Sequence, residues 1–69
     1  MEVNLKTIEY KGEAVTIHTY SIGKGFGWWW ATDSGLKGAI QESGARTEDL
    51  AFQEAEADAR NRIDKKLGA

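Results

Sequence analysis

Three consecutive tryptophans, Trp28, Trp29 and Trp30, constrain the fold of this 69-residue chain more than any other feature. Side chains alternate between the two faces of a strand, so a strand through this run sends Trp29 to one face and its neighbours to the other. Burying a Trp removes ~150–250 Å² from water, so an uncovered face would expose a large apolar patch. A chain of this length builds only a small core, and it has no Cys for a disulfide.

The composition argues against several classes of function. Nine Lys and Arg against eleven Asp and Glu give a net charge of −2, which disfavours broad binding to nucleic acid or to anionic membranes. The chain opens without a signal-like segment, and its longest apolar run, Trp28–Ala31, is far shorter than the ~20 residues that span a bilayer. We therefore expect a cytoplasmic protein with no membrane segment, and nucleic acid is not an expected partner.

Turn signals and charge divide the chain into a sheet-forming part and a helix-forming part. Strand-like runs cover residues 2–10, 13–22, 26–33 and 36–42. A helix is predicted over 48–67, with Thr47 as its N-cap and Gly68 at its end. Its predicted buried stripe consists of Phe52, Ala55, Ala59, Ile63 and Leu67. The sequence predicts one domain, 1–69, of α+β class: a three- or four-stranded antiparallel β-meander followed by one long C-terminal α-helix packed on one sheet face.

The hairpin turns determine which side chains share a face. We predict a two-residue turn at 11–12, a three-residue loop at 23–25 and a two-residue turn at 34–35. Counting from these turns places Trp29 on the same face as Val15 and Ile17, and it places Trp28 and Trp30 on the opposite face. Both faces are then substantially apolar, although a single helix can cover only one of them.

This mismatch suggests that one sheet face associates with another molecule. Our preferred assignment places the Trp28 and Trp30 face under the helix and turns the other face outward. The outward face is the predicted dimer or partner interface, and it consists of Val15, Ile17, Trp29, Ala31 and Ile40. The reverse assignment is an alternative, and so is a β-bulge that shifts the register and collects the apolar residues on one face. A homodimer is the expected assembly, because two-fold dimers are the commonest soluble oligomers.

The sequence contains no recognisable catalytic, cofactor or metal motif. His18 is the only imidazole, and a metal site would need further ligands at suitable spacing. The predicted register directs His18 away from Ser21 and Asp33, which excludes a Ser-His-Asp arrangement. The Gly-rich segment 23–27 matches neither phosphate-binding pattern and leads into a strand rather than a helix. We therefore expect a small non-enzymatic protein without cofactors or metals, of bacterial or phage type.

A macromolecule-binding module is the alternative function. One version docks a basic protein partner on the acidic first half of the helix, formed by Glu48, Asp49, Glu54, Glu56 and Asp58. The other version stacks single-stranded nucleic acid on aromatic residues of the sheet, here His18, Tyr20, Trp28 and Trp30. The outline of a meander followed by one helix resembles half of a double-stranded-RNA-binding-type fold and the antitoxin domains on that scaffold. The resemblance is one of topology and implies no functional residue.

Overall fold

The computed structural model describes residues 3–40 and 44–68, which form one antiparallel sheet and one helix. The elements are β1 (Val3–Tyr10), β2 (Glu13–Ile22), β3 (Gly25–Thr32), β4 (Lys37–Ala39) and α1 (Glu48–Lys66). The strands lie side by side in chain order, and α1 packs against β2 and β3. The predicted α+β meander with a C-terminal helix is therefore confirmed, with four strands. The predicted strand positions 2, 41 and 42 lie outside the described residues.

The first hairpin has the predicted two-residue turn. Lys11 and Gly12 both adopt positive φ, at 50° and 83°, and this conformation matches the right-handed twist of the two strands that the turn connects. Leu5 lies opposite His18 and Ile8 lies opposite Val15. The predicted register of β1 against β2 is confirmed.

The second hairpin differs from the prediction by one residue. Gly25 is not part of the turn but pairs with Ile22, so the turn contains only Gly23 and Lys24, with Gly23 at φ 53°. Trp29 consequently lies opposite His18, whereas the predicted three-residue loop would have placed Trp30 there. A shift of one residue moves every side chain of a strand to the other face. The predicted face of β3 relative to β2 is therefore wrong.

The third hairpin also differs by one residue, in the opposite direction. Its loop is Asp33–Gly35, with Gly35 at φ 101° and the Thr32 amide donating to the Leu36 carbonyl at 2.9 Å. Three-residue hairpin loops of this kind end in a residue with positive φ, usually Gly. Trp29 therefore lies opposite Ala39 rather than Ile40. The two loops differ from their predicted lengths by one residue in opposite directions, so the side chains of β4 lie on their predicted face. Only the side chains of β3 lie on the face opposite to the predicted one.

The corrected register collects the largest side chains under the helix. Val15, Ile17 and Trp30 are completely buried there, so the predicted outward placement of Val15 and Ile17 is wrong. Ile40, whose amide donates to the Trp28 carbonyl at 3.0 Å, also packs against this core. The preferred prediction for the tryptophans is confirmed, because Trp28 and Trp30 face α1 and Trp29 faces away.

The helix begins at its predicted N-cap. The Thr47 hydroxyl accepts a hydrogen bond from the Leu50 amide at 3.1 Å, which satisfies one of the free N–H groups of the first turn. The buried residues are Ala51, Ala55, Ala59 and Ile63. The predicted burial of Leu67 is wrong: this side chain is 55% exposed because the helix ends at Lys66.

Two indole–carboxylate hydrogen bonds join the helix to β3. Trp28 Nε1 donates to Glu54 at 3.2 Å, and Trp30 Nε1 donates to Asp58 at 2.8 Å. A buried indole N–H requires such an acceptor. Gly38 on β4 leaves room for the second pair, because a Cβ there would lie 2.6 Å from the Asp58 carboxylate.

Polar contacts also hold the two ends of α1 against β1 and its turn. The Asn4 amide donates to Glu48 at the start of the helix. Near its end, Asp64 accepts hydrogen bonds from the Tyr10 hydroxyl at 3.1 Å and from Lys11 Nζ at 2.7 Å. The hydrogen bond from Lys11 lowers the pKa of Asp64, and the same contact raises the pKa of Lys11. The helix therefore runs parallel to β1.

Thr19 is a polar residue in the core beneath the helix. Its side chain is fully buried, and its hydroxyl has no hydrogen-bond partner among residues 3–40 and 44–68. An unsatisfied buried hydroxyl destabilises a protein by about 1–3 kcal/mol. We therefore expect Thr19→Val, which keeps the shape, to raise the free energy of unfolding by about 1 kcal/mol in urea denaturation. Thr16→Val, on the other face of β2, is the control and should change it by less than about 0.5 kcal/mol. A loss of stability in Thr19→Val would show that the hydroxyl has a partner.

Candidate functional site

The face of the sheet opposite α1 is covered by no described element. We call it the open face, and its apolar and aromatic members include Leu5, His18, Tyr20, Ile22, Trp29, Ala31 and Ala39. Three of its large side chains are well exposed: Leu5 at 63%, Ile22 at 43% and Trp29 at 40%. A continuous apolar surface of this kind in a small protein indicates an interaction site.

A single row of side chains crosses the whole open face. Leu5, His18, Trp29 and Ala39 are successive cross-strand partners on the four strands. The His18 and Trp29 rings are stacked, with centroids 3.5 Å apart and planes inclined by 6°. Cross-strand aromatic pairs stabilise a sheet by roughly 0.2–1 kcal/mol. This stack fixes the relative orientation of the two rings at the centre of the open face.

A second apolar group lies beside this row. The Tyr20 ring and the tip of Ile22 lie across Gly27, where a Cβ would come within 2.7 Å and 2.5 Å of them. Glycine in β3 therefore allows both side chains to lie close to the sheet. Tyr20 and Ile22 extend the apolar part of the open face along β2, next to the stacked His18 and Trp29 rings.

A shallow groove of about 420 Å³ lies on the other side of Trp29. It is lined by Trp29, Trp30, Ala31, Lys37, Gly38 and Ala39. The small residues of β3 and β4 create this depression, because they leave Trp29 standing above its neighbours. The groove is apolar apart from the Lys37 side chain at the edge of the sheet.

The charged residues of the open face lie at its two edges. Strand alternation places Glu9 of β1 and Lys37 of β4 on this face, and both side chains are exposed. Within the described residues, neither side chain forms an ion pair. The two central strands contribute no Asp, Glu, Lys or Arg to the open face. An apolar centre with charges at the rim is the usual arrangement of a protein interface.

Two of the five predicted interface residues belong to the open face. Trp29 and Ala31 lie there on the same strand, whereas Val15, Ile17 and Ile40 lie together on the helix side. Sequence reasoning omitted Leu5, His18 and Tyr20 from the predicted interface because it placed them under the helix. The signal that identifies them is the length of the second turn, since a two-residue turn puts His18 beside Trp29.

The acidic half of α1 is engaged within the domain. Four of its five carboxylates have intramolecular partners: Glu48 with Asn4, Glu54 with Trp28, Glu56 with Arg60, and Asp58 with Trp30. These contacts attach the helix to the sheet or pair charges along it. The arrangement of these carboxylates is thus explained by the fold, and it leaves less free charge for a basic partner.

Neither a metal centre nor a membrane-crossing helix is found in the described part of the chain. Among residues 3–40 and 44–68, no three His, Asp or Glu side chains cluster as metal ligands would. Within the same ranges, α1 is too polar to cross a membrane. Comparison with protein-family models, curated proteins and solved structures found no match to this chain.

Proposed function

We propose that this domain functions by self-association rather than catalysis, and that two copies bind each other through their open faces. The observation that carries the proposal is the aromatic row Leu5–His18–Trp29–Ala39, which crosses an uncovered sheet face. Sheet-on-sheet stacking would enclose the exposed Trp29 and Leu5 side chains in a second apolar core. Such a core supplements the small one under α1.

The size of the open face supports a second copy as its occupant. The four strands contain 8, 10, 8 and 3 residues, which at ~3.3 Å per residue and ~4.8 Å between strands gives a footprint of roughly 460 Å². Two such faces bury roughly 900 Å² together, which lies in the range of weak, transient protein interfaces. An interface of this size predicts a reversible dimer, not a permanent one.

Charge on the open face also favours a second copy over other partners. Among residues 3–40 and 44–68, Lys37 is the only Lys or Arg on this face, and the chain carries a net charge of −2. A nucleic-acid backbone or an anionic lipid surface would meet little positive potential there. A second copy carries equal numbers of Glu and Lys at the rim, so opposite charges can meet across the interface.

The mass of the protein in solution tests the proposal directly. Sedimentation or light scattering from low micromolar to millimolar concentration should show the mass rising towards twice that of the monomer. Acrylamide should quench Trp fluorescence less as the dimer forms, because Trp29 becomes covered while Trp28 and Trp30 are already buried. A monomer mass over the whole range, with unchanged quenching, would contradict self-association.

A macromolecule-binding module is the alternative, and its support is weaker. The helix carboxylates that would dock a basic protein are mostly hydrogen-bonded within the domain. The aromatic rings available to stack bases are His18, Tyr20 and Trp29, and two of them are stacked on each other. Quenching of Trp fluorescence by a single-stranded oligonucleotide at low salt, lost at high salt, would favour this alternative. The cytoplasmic location and the bacterial or phage-type origin stay predictions.

A further inference from the structure

The two halves of the open face have different shapes. The half formed by β1 and β2 carries a projecting apolar side chain, Leu5, which is 63% exposed. The half formed by β3 and β4 carries glycine and alanine around Trp29, together with the groove of about 420 Å³. One half therefore offers an apolar projection and the other half an apolar depression. A self-complementary interface needs both on the same surface.

We propose that the two copies stack with their two-fold axis parallel to the strands, so that β1 and β2 of one copy cover β4 and β3 of the other. This orientation rests on the proposed self-association and specifies its geometry. This two-fold rotation exchanges the two edges of the sheet. Each row of cross-strand partners keeps its position along the strand direction. Each residue then faces the partner's residue from the same row but from the opposite half.

The row that crosses the face shows why this orientation fits. Leu5 and Ala39 stand at its two ends, so Leu5 of one copy lies over the partner's Ala39. That position is the groove beside Trp29, which is apolar and, at about 420 Å³, large enough to receive a leucine side chain. The contact occurs twice, once at each edge of the stacked sheets.

The centre of the row is equally well matched. His18 and Trp29 are neighbours on the two central strands, so each stacked pair of rings covers the partner's pair. Sheets in such stacks lie ~10 Å apart, a gap that side chains of this size fill from both sides. Trp29 therefore becomes the central anchor of the interface.

The rim charges support the same orientation. Glu9 lies on β1, and Lys37 lies on β4 one row closer to the centre. When β1 covers the partner's β4, the positions of Glu9 and the partner's Lys37 are separated by only ~7 Å along the strand direction. Both side chains are long enough to meet at the rim. Each dimer would contain two such pairs of opposite charge.

A two-fold axis across the strands gives a poorer fit. It would place each strand over its own copy, so that Leu5 faces the partner's Leu5 and the groove faces an equal groove. The two depressions would leave an unfilled space, which destabilises an apolar contact. It would also place Glu9 over the opposite end of the partner's β1, away from Lys37.

Cross-linking distinguishes the two orientations, because the wild-type chain has no Cys. Leu5→Cys and Ala39→Cys, combined in one chain, should give covalent dimers with a short bismaleimide at concentrations where the protein is dimeric. Leu5→Cys alone should not cross-link, because the two copies of residue 5 lie at opposite edges of the stack. Efficient cross-linking of Leu5→Cys alone, or none in the double variant of a proven dimer, would overturn the orientation. A wild-type chain that stays monomeric would instead contradict self-association itself.

Reversing the charges of Glu9 and Lys37 tests the proposed orientation independently of cross-linking. Glu9→Lys and Lys37→Glu should each weaken the dimer about fivefold at low salt, and the combined exchange should restore most of the affinity. Asp49→Lys on α1 is the control and should change the dissociation constant by less than about twofold. Additive losses in the combined variant would overturn the pairing of Glu9 with the partner's Lys37.

Discussion

Trp30→Ala is expected to lower the free energy of unfolding by about 3–5 kcal/mol, the usual loss when a buried Trp is truncated to Ala. Trp30 is the largest completely buried side chain, and its indole N–H donates to Asp58. A chain of 69 residues has a total stability of about 3–10 kcal/mol. The variant should therefore be partly or wholly unfolded at room temperature. Urea denaturation followed by circular dichroism measures the loss.

Trp29→Ala is the matched control for this substitution. Its side chain is 40% exposed, so truncation removes mainly the stack on His18. Measured at a concentration where the protein is monomeric, the loss should be about 1 kcal/mol. Equal losses in Trp29→Ala and Trp30→Ala would contradict the assignment of these residues to opposite faces.

Trp29→Lys is expected to abolish self-association while leaving the monomer folded. Central aromatic residues of interfaces contribute ≥2 kcal/mol to binding, and lysine would also place a charge in an apolar contact. We expect the dissociation constant to rise about a hundredfold or more, as measured by sedimentation at matched protein concentrations. Circular dichroism should show an unchanged fold, since Trp29 faces away from the core.

Ala57→Lys provides the control for the added charge. Ala57 is exposed on α1, on the opposite side of the domain from the open face. The substitution changes the net charge in the same way as Trp29→Lys but should leave the dissociation constant within about twofold of the wild type. If Trp29→Lys dimerises as tightly as Ala57→Lys, the open face is not the interface.

The helix and the first hairpin could be predicted from local sequence signals. Thr47 followed by two carboxylates marked the start of α1, and the structure shows this N-cap. The turn at Lys11 and Gly12 admitted only one plausible length, so the register of β1 and β2 followed. The separation of Trp29 from Trp28 and Trp30 needed nothing beyond strand alternation. Each of these features depends on residues that are close together in the sequence.

The register of β3 could not be predicted in the same way. The segment Gly23-Lys24-Gly25 allows a turn of two or three residues, because either glycine can adopt positive φ. The loop before β4 was ambiguous for the same reason, since Gly35 can end a two- or a three-residue connection. Long-range packing decides between the lengths: the two-residue turn puts Trp28 and Trp30 beside Val15 and Ile17 under α1. The length of the turn before β3 therefore determines which residues form the open face.

The indole–carboxylate pairs determine where the helix can sit along the sheet. Most of the buried residues of α1 are alanines. Such small side chains alone would allow the helix to shift along β3 with little change in buried apolar area. Trp28 and Trp30 are two strand residues apart, about 7 Å, while Glu54 and Asp58 are four helix residues apart, about 6 Å. The spacings agree closely enough for both hydrogen bonds to form at one position of the helix. Sliding by half a turn would break both bonds, and sliding by a full turn would leave a partner for only one of the two indoles, so these pairs favour one position of the helix along β3.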